Sequence, residues 1–365
     1  MKAVKAGNKK VVCSNPDSPF AYFAWPSITR LPDGALAMVT SGFRLRHVCP
    51  FGKSVICYSH DEGETWTPPT VVMDTPLDDR DSGITVFGNG RVILTSFNNT
   101  LDFQASCAKG DAPEDALIHA YLNVVRASGA EEKYLGSTYR ISEDGGYTFG
   151  PIMRSPVTAP HGPCALQDGS LLYVGRRFSK DDSFDKGDVP YIECCLLGED
   201  DQFHHVSYIE NIYEEGTLLL SCEPHTFQLP DGRILVHIRV QGNCGDRRVF
   251  TVYQSVSADG GKTFSKPERL LEHGSPAHII RHSSGVLIST YGYRLSPFGV
   301  RIMFSLDDGK TWQTDYVLDG SGESGDLGYP ATVECSDGSL LTIWYENVGG
   351  KSAIVQKKWE LPVLK

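Results

Sequence analysis

The sequence predicts an all-β fold, a six-bladed β-propeller of four-stranded antiparallel blades, and two repeated patterns predict it. The first is a hairpin signature: an extended apolar run, a D-G, N-G or S-G turn, and a second run. It occurs six times, as WPSITRLPDGALAMV from Trp25, DSGITVFGNGRVILTSF from Asp81, HGPCALQDGSLLYVGRR from His161, CEPHTFQLPDGRILVHIRVQ from Cys222, PAHIIRHSSGVLISTYGYR from Pro276 and YPATVECSDGSLLTIWYE from Tyr329. Successive copies begin roughly 50–80 residues apart, so the 365 residues hold about six units of blade size in one domain, 1–365.

The second pattern is S-x-D-x-G-x-T-[WF], at Ser59–Trp66, Ser142–Phe149, Ser257–Phe264 and Ser305–Trp312. Ser and Asp side chains hydrogen-bond the backbone of a tight turn, Gly takes a backbone shape other residues resist, and the aromatic packs inward. These aspartates therefore read as scaffold. Gly198–Phe203 reads as a decayed copy in the third blade. Too few carboxylates alternate for a calcium loop.

Taken in order, the chain opens with a basic stretch and a short strand, Lys10–Ser14, before Pro16 and Pro19. The last unit offers strands near 331–336, 339–346 and 352–359, one short of four. The Lys10–Ser14 strand is expected to complete it and close the ring, which removes open edges. Between Asn98 and Tyr139 lies an insertion whose Pro113–Arg126 segment suits a helix, with Pro near the start and acids in the first turn. A cap on the mouth of the ring or a homo-oligomer contact is expected of it.

Composition narrows the function. A net charge of −11 argues against a nucleic-acid partner, so an anionic ligand must be met by a local arginine cluster. No apolar run approaches the roughly 20 residues a membrane span needs, and MKAVKAGNKKVV lacks a signal-peptide core, so a soluble, cytoplasmic protein is expected. The ten cysteines show no C-x-x-C, and reduced thiols are expected, with no metal site and no cofactor.

Folding each hairpin about its turn brings Ala24 opposite Gly42, Arg80 opposite Asn98, Pro160 opposite Arg176, Glu223 opposite Arg239 and Tyr329 opposite Tyr345. His161, His225, His278, Tyr293 and Arg294 fall at the same end. Charged and aromatic groups thus gather at one mouth, as a small-ligand site requires, while the turns at the other mouth are bland.

These motifs resemble the sialidase-like family of six-bladed β-propellers, whose blades carry Asp-boxes between their third and fourth strands; the resemblance covers nearly the whole chain. Asp-boxes also occur in propellers that are not sialidases, so they speak to fold more than to activity. The family's Glu before the first strand of one blade and Arg at the end of its second match Glu223 and Arg239. Its tyrosine before the last blade matches Tyr329, followed by Asp337-Gly338 and Tyr345-Glu346. Arg301 or Arg294 fills the place of a further arginine. The resemblance implies retaining hydrolysis with Tyr329 as nucleophile and Glu223 as its base; a neutral phenol avoids setting a carboxylate against an acidic sugar.

Two departures stand out. The family's F-R-I-P is Phe23-Ala24-Trp25-Pro26 here, without the arginine, and GFRLRHVCPFGK stands where the family places an acid/base aspartate. There His47 is the candidate acid/base, with Arg44 and Arg46 beside it; alternatively Asp79 or Asp81 donates the proton while Arg80 binds an anionic group. The expected function is an exo-acting glycoside hydrolase on a terminal anionic sugar, sialic acid or a related sugar acid. Its carbohydrate would be bound by Arg239, Arg301, Arg294, Arg80, Arg46, Arg44, His161, His225, His278 and Tyr293. The alternatives are a histidine-dependent glycosidase or polysaccharide lyase with His and Tyr as base and acid, and a non-catalytic carbohydrate-binding propeller.

Overall fold

In the computed structural model, which describes residues 2–178 and 189–364, six small, mostly antiparallel sheets follow one another around an axis. Blade 1 is Tyr22–Arg30, Leu36–Arg44, Lys53–Ser59 and Thr70–Met73; blade 2 is Arg80–Phe87, Arg91–Asn98, Gly136–Ser142 and Met153–Ser155. Blades 3 and 4 follow through Leu171–Arg177 and Ile192–Leu197, then Thr217–Gln228, Ile234–Cys244 and Arg247–Ser257. Blade 5 is Ala277–Arg281, Leu287–Tyr293, Gly299–Ser305 and Gln313–Asp319, and blade 6 is Gly328–Glu334, Leu340–Val348 and Lys351–Trp359.

Ring closure follows the sequence expectation. Lys10–Cys13 pairs antiparallel with Lys351–Trp359 as the fourth strand of blade 6, and Cys13 is buried. One pairing has no sequence signal: Lys2–Ala3 adds a short parallel strand to blade 5 beside Gln313–Asp319, burying Val4.

Each blade face is apolar because the strands alternate, and the core lies between neighbouring blades. Phe23, Trp25 and Ile28 of blade 1 pack on Tyr329, Ile343 and Tyr345 of blade 6. The innermost strands crowd the axis: a Cβ on Gly83 would come within 2.3 Å of Gly162 N in the next blade, so only glycine fits there.

The four S-x-D-x-G-x-T-[WF] turns hold themselves together as their composition predicts. Asp61 accepts from Ser59 Oγ at 2.8 Å, Thr65 N at 2.8 Å and Thr65 Oγ1 at 2.6 Å, and Asp144, Asp259 and Asp307 repeat the pattern. These bonds, led by the Thr65 hydroxyl, hold Asp61 down to about 2. The aromatic then bridges blades, Trp66 Nε1 donating to Gln356 of blade 6 and Trp312 Nε1 to Gln254 of blade 4.

The hairpin register differs from expectation at the mouth, by one residue in blades 1, 2, 4 and 6 and by two in blade 3. Arg239 stands opposite Cys222, Arg80 opposite Phe97, Ala24 opposite Ser41, Arg176 opposite Thr158, and Tyr345 opposite Gly328. In blades 1, 2, 4 and 6 the cause is a bulge in the first strand. Its extra residue takes a positive φ: 57° at Trp25, 51° at Asp81, 48° at Glu223 and 53° at Tyr329. Such backbone costs of order 1–3 kcal/mol per residue and persists only where the surroundings enforce it.

The insertion forms three helices, α1 (Leu101–Ser106), α2 (Pro113–Ser128) and α3 (Ala130–Tyr134). Ile118, Leu122 and Val125 of α2 face Leu77 and Leu101, with Leu45 and Phe51 packed against them. The helices thus buttress the rim loop after the second strand of blade 1, through a tilted Phe51–Tyr121 ring contact at 4.8 Å and an Arg46–Asp115 ion pair at 2.6 Å.

Candidate active site

The bulges matter because they turn the side chains of Asp81, Glu223 and Tyr329 away from simple strand alternation. Tyr329 Oη donates to Glu223 Oε1 at 2.7 Å, although 106 positions separate the two. Arg239 Nη1 donates to both, to Tyr329 Oη at 3.0 Å and Glu223 Oε2 at 2.5 Å, and Gln241 Oε1 accepts from the guanidinium's other edge. Burial first, and the Glu223 charge second, hold the Tyr329 phenol well above its ordinary pKa, so it rests protonated.

Two more arginines border this triad. Arg294 lies 5.8 Å from the Tyr329 ring, and Phe250 backs both Arg294 and Arg239 at 5.3 and 5.0 Å. Arg80 stacks on Trp25 at 4.2 Å, and Trp25 meets Tyr329 edge-on at 6.4 Å. Asp81 is buried next to Arg80, their nearest atoms 4.0 Å apart, and desolvation pushes its carboxyl up to about 7 against the pull of the Arg80 charge.

A second constellation occupies the rim beside Trp25. His47 stands edge-on to Trp25 at 4.9 Å, its Nε2 3.3 Å from Arg80 Nη2 and its Nδ1 2.8 Å from Tyr22 Oη. Arginine only donates, so Nε2 accepts and Nδ1 carries the proton. Tyr22 Oη in turn donates to Asp326 at 3.0 Å, as does Tyr345 Oη at 3.0 Å. Burial and the nearby arginines hold the half-exposed His47 below its ordinary pKa, while Asp326 pulls the other way.

Not every expected residue reaches the mouth. Asp79 is fully buried and accepts from the backbone and hydroxyl of Thr75, which makes it a turn anchor rather than a proton donor to ligand. Arg44 is fully buried and ion-paired to Asp78 at 2.5 Å; it shapes the rim loop through the His47 carbonyl at 2.7 Å and covers Trp25 at 4.8 Å. Arg46 is spent on Asp115. Arg301 is buried and donates to the Asp319 and Pro297 carbonyls, whereas Arg294 lies by the Tyr329 ring. Tyr293 stacks on Arg301 at 4.5 Å and lines a separate cavity of about 550 Å³ with His273 and Asp315. His161, His225 and His278 pack on one another along the axis, with centroids 4.2–5.4 Å apart, in a cavity that none of Trp25, Asp81, Glu223 or Tyr329 lines.

Sequence reasoning overlooked Tyr22, Phe250 and Asp326. Asp326 lies in the loop GSGESGDLGYP just ahead of Tyr329, where a carboxylate reads as ordinary turn chemistry. Trp25 was visible only as the neighbour of a missing arginine. Among the described residues no group of three His, Cys, Asp or Glu side chains is placed to hold a metal, and the ten cysteines are free thiols.

The family of BNR repeat-like domains matches residues 111–342, more than half of the chain. The chain belongs to that family. This BNR propeller also superposes on a protein of unknown function from Dyadobacter fermentans DSM 18053 with a TM-score of 0.77, at 19% identity over 99% of this chain and 100% of that one. The leech intramolecular trans-sialidase, complexed with 2,7-anhydro-Neu5Ac, gives 0.61 at 14% identity over 93% and 68%. The Penicillium chrysogenum α-L-arabinanase complexed with arabinobiose gives 0.63 at 14% identity over 97% and 98%. At these identities the likeness is one of fold. No curated protein matches the chain. No helix among the described residues is long and apolar enough to cross a membrane.

Proposed function

We propose that the protein is an exo-acting glycoside hydrolase that removes a terminal, carboxylate-bearing sugar. The observation that carries this reading is the Tyr329–Glu223–Arg239 triad: a buried phenol hydrogen-bonded at 2.7 Å to a carboxylate that an arginine fixes in place. A solved sialidase and an arabinanase of the same fold, each complexed with a sugar, support carbohydrate as the substrate class.

In this scheme Arg239 and Arg294 bind the sugar carboxylate, and Arg80, stacked on Trp25 next to Ala24, takes the part of the arginine missing from that strand. Tyr329 Oη attacks the anomeric carbon as Glu223 takes its proton, and the bond to the leaving oxygen breaks. His47 first takes up a proton from solvent at Nε2 in place of its contact with Arg80, its Nδ1–H held by Tyr22 and Asp326, and then gives that proton to the leaving oxygen. In the second half a water attacks the anomeric carbon and yields its proton to His47. The tyrosine oxygen then leaves and recovers its own proton from Glu223. Asp81, whose carboxyl is pushed up to about 7, limits the negative charge crowded around Glu223 near neutrality.

One observation favours a second reading. The resting His47 presents its Nε2 lone pair beside Arg80, the arrangement of a neutral base next to a carboxylate binder, which suits proton abstraction from a uronate with β-elimination of its 4-substituent. A panel of aryl sialosides, uronides and neutral glycosides, read by aglycone release, is the test, run beside uronate polymers read at the ultraviolet absorbance of an unsaturated product. Aglycone release from an acidic sugar, lost in Tyr329→Phe, supports hydrolysis. Unsaturated product with no aglycone release replaces it with the lyase.

A further inference from the structure

The three axial histidines are not used by the reaction above, and their hydrogen bonds say what they can hold. Together with residues of the innermost strands they line a cavity of about 290 Å³ along the ring axis. His225 Nδ1 accepts from Ile279 N at 2.9 Å, and His278 Nδ1 accepts from Thr332 N at 3.3 Å. A backbone N–H only donates, so in both rings Nδ1 bears the lone pair and Nε2 bears the hydrogen. The two rings stack at 4.2 Å, 25° from parallel, and both line this cavity.

Two further polar groups on this cavity are buried without a partner. His161, 3% exposed, has no hydrogen bond at either ring nitrogen, and Ser27 Oγ, on a residue 1% exposed, has none. Unsatisfied buried polar groups cost about 1–3 kcal/mol each, and His161 and Ser27 sharing one cavity with the Nε2–H donors of His225 and His278 call for a ligand that accepts hydrogen bonds. Among the described residues no Asp or Glu lines the space, and Ile28, Ile84, Val86, Phe227 and Ile279 make much of the wall. A divalent metal needs imidazole lone pairs, and those of His225 and His278 are already given to the backbone.

We propose that the axial cavity binds a small, weakly hydrated monovalent anion, held by the Nε2–H groups of His225 and His278. Donors without acceptors select a negative charge, and apolar walls favour an ion that loses little hydration on entry. The site is separate from the sugar-binding mouth and independent of the hydrolase reading.

Bromide is the probe. Crystals of the full chain grown in bromide should show an anomalous peak within hydrogen-bond distance of both Nε2 atoms. In solution, 200 mM bromide should raise the melting temperature by roughly 2 °C over 200 mM fluoride, which is far more hydrated. His278→Phe keeps a stacked ring but removes the Nε2–H donor, together with the acceptor of Thr332 N, and should abolish that difference. Should this variant fail to fold, the anomalous map of the natural chain decides. Water alone in the cavity, a divalent metal on the histidines, or an unchanged bromide response in His278→Phe would each overturn the proposal.

Discussion

Replacing Tyr329 by Phe tests the triad with the least collateral change. The substitution deletes one oxygen, which donates to Glu223 at 2.7 Å and accepts from Arg239 at 3.0 Å. Glu223 keeps its 2.5 Å bond to Arg239, so no carboxylate is left unpaired, and the ring keeps its contacts with Trp25 and Tyr345. The stability change is therefore the net worth of two charge-assisted hydrogen bonds, about 1–3 kcal/mol, minus the gain from no longer burying a hydroxyl. Turnover on an acidic aryl glycoside should fall by roughly 10²-fold or more, about 2.7 kcal/mol or greater in activation free energy. Glu223→Gln retains a similar shape but is a far weaker base and should cost as much. The double variant should cost much less than the sum of the two, because the phenol and the carboxylate act on one proton. Initial rates and melting curves measure both quantities. Near-wild-type turnover by folded Tyr329→Phe would refute the mechanism and move the chemistry to His47.

Further outcomes follow from the same geometry. Arg239→Lys should raise KM for acidic sugars more than it lowers kcat, since a lysine ammonium cannot span Tyr329, Glu223 and Gln241 as the planar guanidinium does; equal loss on neutral glycosides would contradict that role. Asp79 is pushed up to about 7 by burial, above the unfolded value of about 3.9, so the native state binds more protons between these values and stability falls as pH rises through that window. Asp79→Asn should flatten that part of the stability profile, and an unchanged slope in denaturant titrations would show that the carboxyl is not the source. Deleting residues 1–14 removes the strand that closes blade 6, together with buried Val4 and Cys13, a loss of about 3 kcal/mol or roughly 5 °C; an unchanged melting curve would remove the closure from the account.

The ring was legible because its signals are local and repeated. Six hairpin turns and four S-x-D-x-G-x-T-[WF] turns each state their own conformation in a few residues, and the short strand before Pro16 had one unfilled place to go. The Glu223, Arg239 and Tyr329 positions were legible for a different reason, the family resemblance, and side-chain geometry then joined them. What escaped was every choice that depends on a neighbour in space. Nothing around Arg44 says that Asp78 will claim it, and nothing near His161 or His278 says that they will face the axis rather than the mouth. Asp326 escaped because its partners Tyr22 and Tyr345 lie on the first strand of blade 1 and the second strand of blade 6.

The single-residue slip at the mouth explains how one repeated hairpin carries a site at one end only. Beyond the bulge, toward the turn, pairs such as His225 and His237 or Ala331 and Ile343 keep the plain register, and inward and outward side chains alternate as the core requires. At the bulge the chain gains a residue and takes a positive φ, so Asp81, Glu223 and Tyr329 leave the alternation without disturbing the packed strand below. A proline follows the strained residue in three of these four strands, at Pro26, Pro224 and Pro330, where its missing N–H costs no ladder bond. The blades therefore hold the fold while the bulges carry the proposed chemistry, and conservative substitution of Glu223 or Tyr329 is expected to alter activity far more than stability, whereas Trp25 also belongs to the core. The same separation accounts for how this chain can lack the family's first-blade arginine. The first-blade bulge still points into the mouth, Trp25 occupies it, and Arg80 from the next bulged strand lies flat on its ring.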